Sequence, residues 1–190
     1  MRKPGTVLIT GASSGFGKMF VEAFLQKGWR VYAGLRGGEA RMRTVFRDEL
    51  KAHPEWHERL QAVDLHMERE ESILAAVSRM PEGLDLLIHN AGYGLMGRLE
   101  DMTIAQFRHQ LETNVVGAVA LTHGLLPALR KQRGRIIVMS SIAGRAGIPF
   151  YAAYNASKFA LEGFFDSLAY ELRSDGVDVC LVEPGGFRTS

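Results

Sequence analysis

A tyrosine and a lysine stand four residues apart in the segment Tyr-Asn-Ala-Ser-Lys, as Tyr154 and Lys158. On a helix, side chains at this spacing lie on the same face. A phenol, with an unperturbed pKa of about 10, exchanges protons poorly at neutral pH, but a nearby ammonium favours the phenolate. With Lys158 beside it, Tyr154 could therefore give a proton to a developing alkoxide or take one from an alcohol.

A serine that could assist this chemistry precedes the tyrosine. Ser141 lies thirteen residues before Tyr154, after a short apolar run that reads as a strand. Its hydroxyl could donate to a substrate oxygen and stabilise the charge that forms there in the transition state. Ser140 is its neighbour and competes for the same role.

A glycine-rich segment near the start of the chain predicts a phosphate-binding loop. It follows an apolar run and reads Thr10-Gly11-Ala12-Ser13-Ser14-Gly15-Phe16-Gly17. Glycines permit a tight turn and let the backbone approach a pyrophosphate, and the helix that follows offers N–H groups and a positive dipole end. We therefore expect a dinucleotide to contact Gly11, Ser13, Ser14, Gly15, Phe16 and Gly17.

The elements that must position these residues alternate along the chain. Apolar runs predict strands at 6–9, 30–34, 60–63, 84–89, 135–139 and 177–182. Helical patterns lie between them at 17–27, 40–51, 70–80, 103–131 and 154–174. This alternation predicts an α/β fold with a doubly wound parallel sheet in a three-layer αβα arrangement. No linker divides the chain, so we expect one dinucleotide-binding and catalytic domain over 1–190.

Composition excludes several classes of protein. The chain has 190 residues, a hydrophobic fraction of 46% and a formal net charge of +2, so no strong field favours nucleic acid or an anionic membrane. The single cysteine, Cys180, allows no internal disulfide, and its apolar surroundings predict a buried side chain. No run is long enough for a membrane span. We expect a soluble, cytoplasmic protein without a metal site.

The end of the second predicted strand bears on the choice of dinucleotide. An acidic residue there would bond the ribose diol of NAD and repel a 2′-phosphate. This sequence has Leu35 and Arg36 instead. A guanidinium can hold a phosphate through two hydrogen bonds, so we predict NADP rather than NAD.

The spacing G-x-x-x-G-x-G after Thr10 resembles the short-chain dehydrogenase/reductase family, and the resemblance covers the whole chain. It implies a Rossmann-like fold, an adenine contact at Asp64 and Leu65, and a turn at Asn90-Ala91-Gly92 beside the adenine ribose. The family often has a second asparagine before that turn, where this chain has His89. Pro184-Gly185 and the later Thr189 resemble the segment that covers the nicotinamide.

The resemblance also implies a catalytic set of Asn114, Ser141, Tyr154 and Lys158. The family's spacing favours Ser141 over Ser140 as the substrate-orienting serine. Lys158 would bond the nicotinamide ribose and favour the ionised form of Tyr154. Asn114, at a local kink in a long helix, would bind a water molecule that links the lysine to solvent.

Three functions remain open at this point. The first is hydride transfer between NADP(H) and a carbonyl or alcohol carbon. The second is a sugar-nucleotide epimerase or dehydratase, which shares the Tyr-x-x-x-Lys pair but normally has the spacing G-x-x-G-x-x-G. The third is an NADP-binding sensor without turnover, which loss of the tyrosine or lysine would favour.

The substrate and the assembly are also predicted from the resemblance. The segments 90–97 and 157–163 look most like the steroid- and retinol-dehydrogenase branch, which implies a small, lipophilic ketone, aldehyde or alcohol. The helices 103–131 and 154–174 carry more than one apolar stripe, so we expect a homodimer or homotetramer. Family members usually continue beyond the sixth strand, and the C-terminal strand, helix and substrate loop are expected to be missing from this chain.

Overall fold

Short apolar runs form the strands of a single parallel sheet. The computed structural model describes residues 4–186, and within them six strands lie in the order β3-β2-β1-β4-β5-β6. All neighbouring strands are parallel. The strands are β1 Thr6–Thr10, β2 Arg30–Leu35, β3 Leu60–Asp64, β4 Leu86–His89, β5 Arg135–Met139 and β6 Asp178–Val182.

Helices cover both faces of this sheet. They are α1 Gly15–Gln26, α2 Gly38–Val45, α3 Arg47–Ala52, α4 Glu70–Ser78, α5 Ile104–Leu111, α6 Gly117–Gln132 and α7 Ala152–Leu172. Alternate residues of β1 show the two sides: Val7 and Ile9 pack with α1, α2 and α3, whereas Leu8 packs with α4, α6 and α7. The predicted doubly wound, three-layer αβα fold is confirmed.

The order of the strands places the chemistry at one edge. The chain reverses direction across the sheet between β1 and β4, and ligands of such sheets bind outside the carboxyl ends of the strands at this point. The glycine loop follows β1, Asn90 follows β4, and Ser140 and Ser141 follow β5. Residues that are distant in sequence therefore meet at this edge.

Several details differ from the sequence predictions. The expected helix 103–131 is α5 and α6 joined by a π-helical turn, Glu112–Val116, and the expected helix 40–51 is α2 and α3. Cys180 is exposed rather than buried. Its strand, β6, is at the edge of the sheet, and only Val179 and Leu181 pack against the core.

Candidate active site

Hydrogen bonds join the glycine loop to the turn that follows β4. Thr10 Oγ1 accepts from the main-chain N–H groups of Asn90 at 3.0 Å and Ala91 at 2.9 Å. Asn90 Nδ2 donates in return to the main-chain oxygens of Thr10 at 3.0 Å and Gly11 at 3.1 Å. These four bonds fix both loops at the centre of the sheet edge.

The glycine loop has the backbone that a phosphate cradle requires. Gly11 and Gly15 have φ values of +65° and +52°, in the left-handed region that favours glycine. A Cβ at Gly17 would collide with the carbonyl oxygen of Gly11. Within the described chain, Ser14 makes no side-chain cap at the start of α1, so the positive end of this 12-residue helix is left for another acceptor.

A cavity of about 340 Å³ lies directly beyond this loop. We call it the Tyr154 cavity. Its lining consists of Gly11, Ser14, Phe16, Asn90, Ala91, Gly92, Tyr93, Gly94, Met139, Ser140, Ser141, Tyr154, Lys158, Pro184 and Gly185. It therefore brings together the predicted tyrosine, lysine and serine with Gly11, Ser14 and Phe16 of the predicted cofactor loop.

Helix α7 carries both Tyr154 and Lys158. Lys158 is buried, its Nζ donates to the main-chain oxygen of Met139 at 2.7 Å, and it lies 5.5 Å from the centre of the Tyr154 ring. Burial lowers the pKa of Lys158 to about 8, and the negative charge of Glu162 opposes this shift. The lysine is thus mostly protonated at neutral pH, close to the phenol.

The serine pair at the end of β5 divides into an accessible and a buried member. Ser141 is half-buried, and its Oγ accepts from Ala143 N at 3.1 Å, a bond that does not consume the hydroxyl hydrogen. Ser140 is buried, and its Oγ has no hydrogen-bond partner among residues 4–186. Both serines line the Tyr154 cavity.

Asn114 lies inside the π-helical turn, at the kink that the resemblance implies. Its side chain is buried and bonded to both polar groups of Tyr93: Oδ1 accepts from the main-chain N at 3.1 Å, and Nδ2 donates to the main-chain oxygen at 2.9 Å. Nδ2 also donates to Ser157 Oγ at 3.1 Å. Asn114 therefore ties the loop after β4 to α7, and the cavity linings do not include it.

A second cavity, of about 670 Å³, shares Ala91, Gly92 and Tyr93 with the first. We call it the Arg36 cavity, because the exposed Arg36 lines it directly after β2. Glu68 lines the same cavity. Burial raises the pKa of Glu68, but hydrogen bonds to its own backbone and to His66, with the charges of His66 and Arg36, outweigh this and lower it. A carboxylate that the sequence did not point to thus lies near the predicted phosphate-binding arginine.

Asp64 and Leu65 have different surroundings. Leu65 is buried and lines the Arg36 cavity, whereas Asp64 does not line it. Asp64 Oδ1 accepts from Gly37 N at 2.9 Å, so it supports the turn that begins at Arg36. Ser13, Gly15 and Gly17 form the loop without lining either cavity. Thr189 lies outside the described residues.

Two buried amides near the site were missed in the sequence. Gln110 accepts from Leu95 N at 2.8 Å and donates to the oxygen of Tyr93. Asn155 donates to the oxygens of Ala143 and Ala146, at 2.7 and 2.6 Å, and accepts from Ile148 N at 3.1 Å. Both hold loops that line or flank the site. The sequence signal for Asn155 was its position directly after Tyr154.

Comparison with known proteins agrees with this geometry. A family model described as short chain dehydrogenase matches residues 5–190. The chain belongs to the short-chain dehydrogenase family. It is 38% identical over 193 residues to a 3-ketodihydrosphingosine reductase of Bacteroides thetaiotaomicron, covering 98% of this chain and 65% of that protein. It is 38% identical to human retinol dehydrogenase 8, covering 96% of this chain and 58% of that protein.

A solved structure shows the same fold with a bound cofactor. A short chain dehydrogenase of Burkholderia cenocepacia, in complex with NADP, is 30% identical, with a TM-score of 0.84 over 100% of this chain and 76% of that one. The expected family, and its resemblance to retinol dehydrogenases, are confirmed. The chain spans less than two thirds of the length of both curated relatives. Within residues 4–186, no helix is long and apolar enough to cross a membrane.

Proposed function

We propose that the protein is an oxidoreductase that moves a hydride between NADP(H) and a carbonyl or alcohol carbon. The observation that carries this proposal is the Tyr154 cavity, where Tyr154, Lys158 and Ser141 adjoin a glycine loop at a helix N-terminus. The left-handed Gly11 and Gly15 and the close contact at Gly17 fit a pyrophosphate. The two cavities meet at Ala91 and Gly92, so one dinucleotide could place its nicotinamide in the Tyr154 cavity and its adenine half in the Arg36 cavity.

Each polar residue has a distinct task in this proposal. In the direction of reduction, the bound NADPH supplies the hydride. The Tyr154 hydroxyl releases its proton to the carbonyl oxygen, so that a new O–H bond forms and the phenolate remains. Ser141 donates a hydrogen bond to the same oxygen and holds it beside the phenol. Lys158 stabilises the phenolate by its positive charge and can bond a ribose hydroxyl.

The proposed preference for NADP rests on Arg36. Its guanidinium follows β2 and lines the cavity assigned to the adenine half. Asp64 supports the adjoining turn through Gly37. The NADP-bound relative supports the same preference. Glu68 opposes the preference for NADP, because its carboxylate would repel a nearby 2′-phosphate.

A lipophilic substrate is proposed from the loop that begins in the lining of the Tyr154 cavity and from a residue bonded to that loop. Tyr93 and Gly94 line the cavity, and the loop continues to Met96, which is 66% exposed. Phe150, which is 58% exposed, accepts from Gly97 N at 2.8 Å, so it flanks this loop. The names of the relatives, a ketosphingoid reductase and a retinol dehydrogenase, point to substrates of the same kind.

The test is a screen of lipophilic ketones and aldehydes with NADPH, in which turnover is measured as the loss of NADPH absorbance. Tyr154→Phe is the inactive control. Turnover that depends on Tyr154 supports the proposal. Tight NADPH binding without turnover on any carbonyl would favour the sensor. Conversion of a sugar nucleotide without net change in NADPH would favour the epimerase.

A further inference from the structure

A carboxylate that has no task in the proposed function lies on α7, the helix that carries Tyr154 and Lys158. Glu162 is on α7, one turn after Lys158, and side chains at this spacing share a face. The residue is only 4% exposed. Burying a charged carboxylate is costly unless other groups compensate it, so its place here calls for a partner.

The partner of Glu162 is incomplete. Arg145 Nη2 lies 3.2 Å from Glu162 Oε2, yet neither carboxylate oxygen accepts a hydrogen bond from any residue in 4–186. Arg145 also donates two bonds, of 3.0 and 2.7 Å, to Glu183 Oε1. Because the half-exposed guanidinium is shared between two carboxylates, it neutralises Glu162 only in part. Lys158, one turn earlier on α7, is within the electrostatic influence of this carboxylate.

Glu162 packs closely against Gly144, in the turn that follows Ser141. A Cβ at Gly144 would lie 2.9 Å from Glu162 Cγ and 2.9 Å from Ser140 Oγ. Contacts this short force the structure to shift, so glycine is required for the carboxylate to fit under the turn that follows Ser141. The hydroxyl of Ser140, which lacks a partner among the described residues, is on the same side.

From this geometry we propose that Glu162 is a positioning residue, whose buried carboxylate keeps Lys158 charged for its role at the nicotinamide site. This inference rests on the proposed function. Arg145 and Glu183 connect the carboxylate to the loop at Pro184, which lines the Tyr154 cavity. Within the described part of the chain, the charged groups linked to Glu162 are Lys158 and Arg145 and, through Arg145, Glu183 and Asp166.

The electrostatics agree in direction. Burial lowers the pKa of Lys158, and the charge of Glu162 raises it. Removing that charge would lower the pKa of Lys158 further, so that more of the lysine would be neutral at physiological pH. A neutral lysine could no longer stabilise the phenolate of Tyr154.

The first test needs neither cofactor nor turnover. The free energy of unfolding is measured against pH for the wild type and for Glu162→Gln, each compared with the same protein carrying Lys158→Met. The difference isolates the titration of Lys158, which begins to stabilise the fold as pH rises through its folded-state pKa. In Glu162→Gln we expect this onset about one pH unit lower. Glu162→Asp should restore most of the wild-type onset.

A matched control removes a different carboxylate from the same helix. Asp166, one turn further on, is exposed, and Asp166→Asn should leave the onset unchanged. If Glu162→Gln does not fold, Arg145→Gln provides the test, because loss of the competing cation should move the onset to higher pH. An onset that stays in place in Glu162→Gln, or in Arg145→Gln in that case, overturns the proposal.

The second test follows the pH profile of NADPH-dependent reduction. We expect the alkaline fall in kcat/KM to move about one pH unit lower in Glu162→Gln, with Asp166→Asn unchanged. If the wild type has no turnover but Glu162→Gln still shifts the unfolding curve, the proposed function is disproved and the effect of Glu162 on Lys158 is supported. An active wild type with both pH curves unmoved by Glu162→Gln would disprove only the role of Glu162.

Discussion

Lys158 donates its Nζ to the main-chain oxygen of Met139, the last residue of β5, at 2.7 Å. The bond fixes the lysine against the edge of the sheet where the cavity begins. Met139 itself lines the Tyr154 cavity. Lys158 therefore connects two elements: it belongs to α7, which carries Tyr154, and it is bonded to the end of β5, which Ser141 follows.

Replacement of Lys158 should change the pH dependence of the free energy of unfolding and abolish activity. Burial lowers the pKa of Lys158 from 10.5 to about 8, so the folded state disfavours its proton. The unfolded chain then binds more protons between these values, and the free energy of unfolding should rise with pH from about 8 to 10.5. Lys158→Met should remove that rise and abolish activity. Chemical denaturation across this pH range is the measurement. A pH slope that is unchanged in the variant would contradict the assignment.

The phenol can be removed with little change in shape. Tyr154→Phe deletes only the proton donor, so kcat should fall by about 10²–10⁴-fold. NADPH affinity should stay within about twofold of the wild type, since the ring and the Lys158 ammonium remain. Steady-state kinetics and cofactor titration measure the two effects. Tyr151→Phe, a neighbouring phenol outside the Tyr154 cavity lining, is the control and should keep its rate. A Tyr154→Phe enzyme with most of its kcat would place the acid–base group elsewhere.

Cofactor preference should depend on two opposing charges. NADPH should bind at least about tenfold tighter than NADH, which corresponds to roughly 1.4 kcal/mol. Arg36→Asp should invert this preference, and Glu68→Gln should strengthen it, because the carboxylate in the Arg36 cavity would no longer repel a phosphate. Titration with both dinucleotides measures the ratio. Equal affinities in the wild type would refute the role of Arg36, and an unchanged ratio in Glu68→Gln would refute the role of Glu68.

Assembly should depend on the outer face of α7. Phe159, Phe164 and Tyr170 are 48%, 37% and 79% exposed, whereas Phe165 and Leu168 of the same helix belong to the core. We expect a homodimer or homotetramer by light scattering, and Phe159→Asp should shift it toward monomer. Leu74→Asp, on the exposed face of α4, should not. A monomeric wild-type mass would disprove this prediction.

Local patterns in the sequence were sufficient for the strands, for the α/β class and for the pair formed by Tyr154 and Lys158, whereas the choice of Ser141 over Ser140 came from the resemblance to the family. Each depends on short-range periodicity or on the rule that parallel strands end at a common edge. The contacts of Asp64, Glu68 and Glu162 could not be predicted, because they join residues that are distant in sequence or lie on different elements, such as Asp64 with Gly37 and Glu162 with Arg145. The exposure of Cys180 depends on strand order, since an apolar run is buried only where both faces are covered.

The threonine before the glycine loop offers the sharpest test of how the site is held together. Thr10 is fully buried, and its Oγ1 accepts from both Asn90 N and Ala91 N. Thr10→Val keeps the shape but leaves two N–H groups without an acceptor, which should cost about 2–3 kcal/mol of unfolding free energy. NADPH affinity should fall as well, since the turn that separates the two cavities would lose its support. Thr10→Ser retains the oxygen and loses one methyl, so it should cost about 1 kcal/mol and preserve the affinity. Equal losses of stability and affinity in the two variants would show that packing, and not the paired hydrogen bonds, sets the position of this turn.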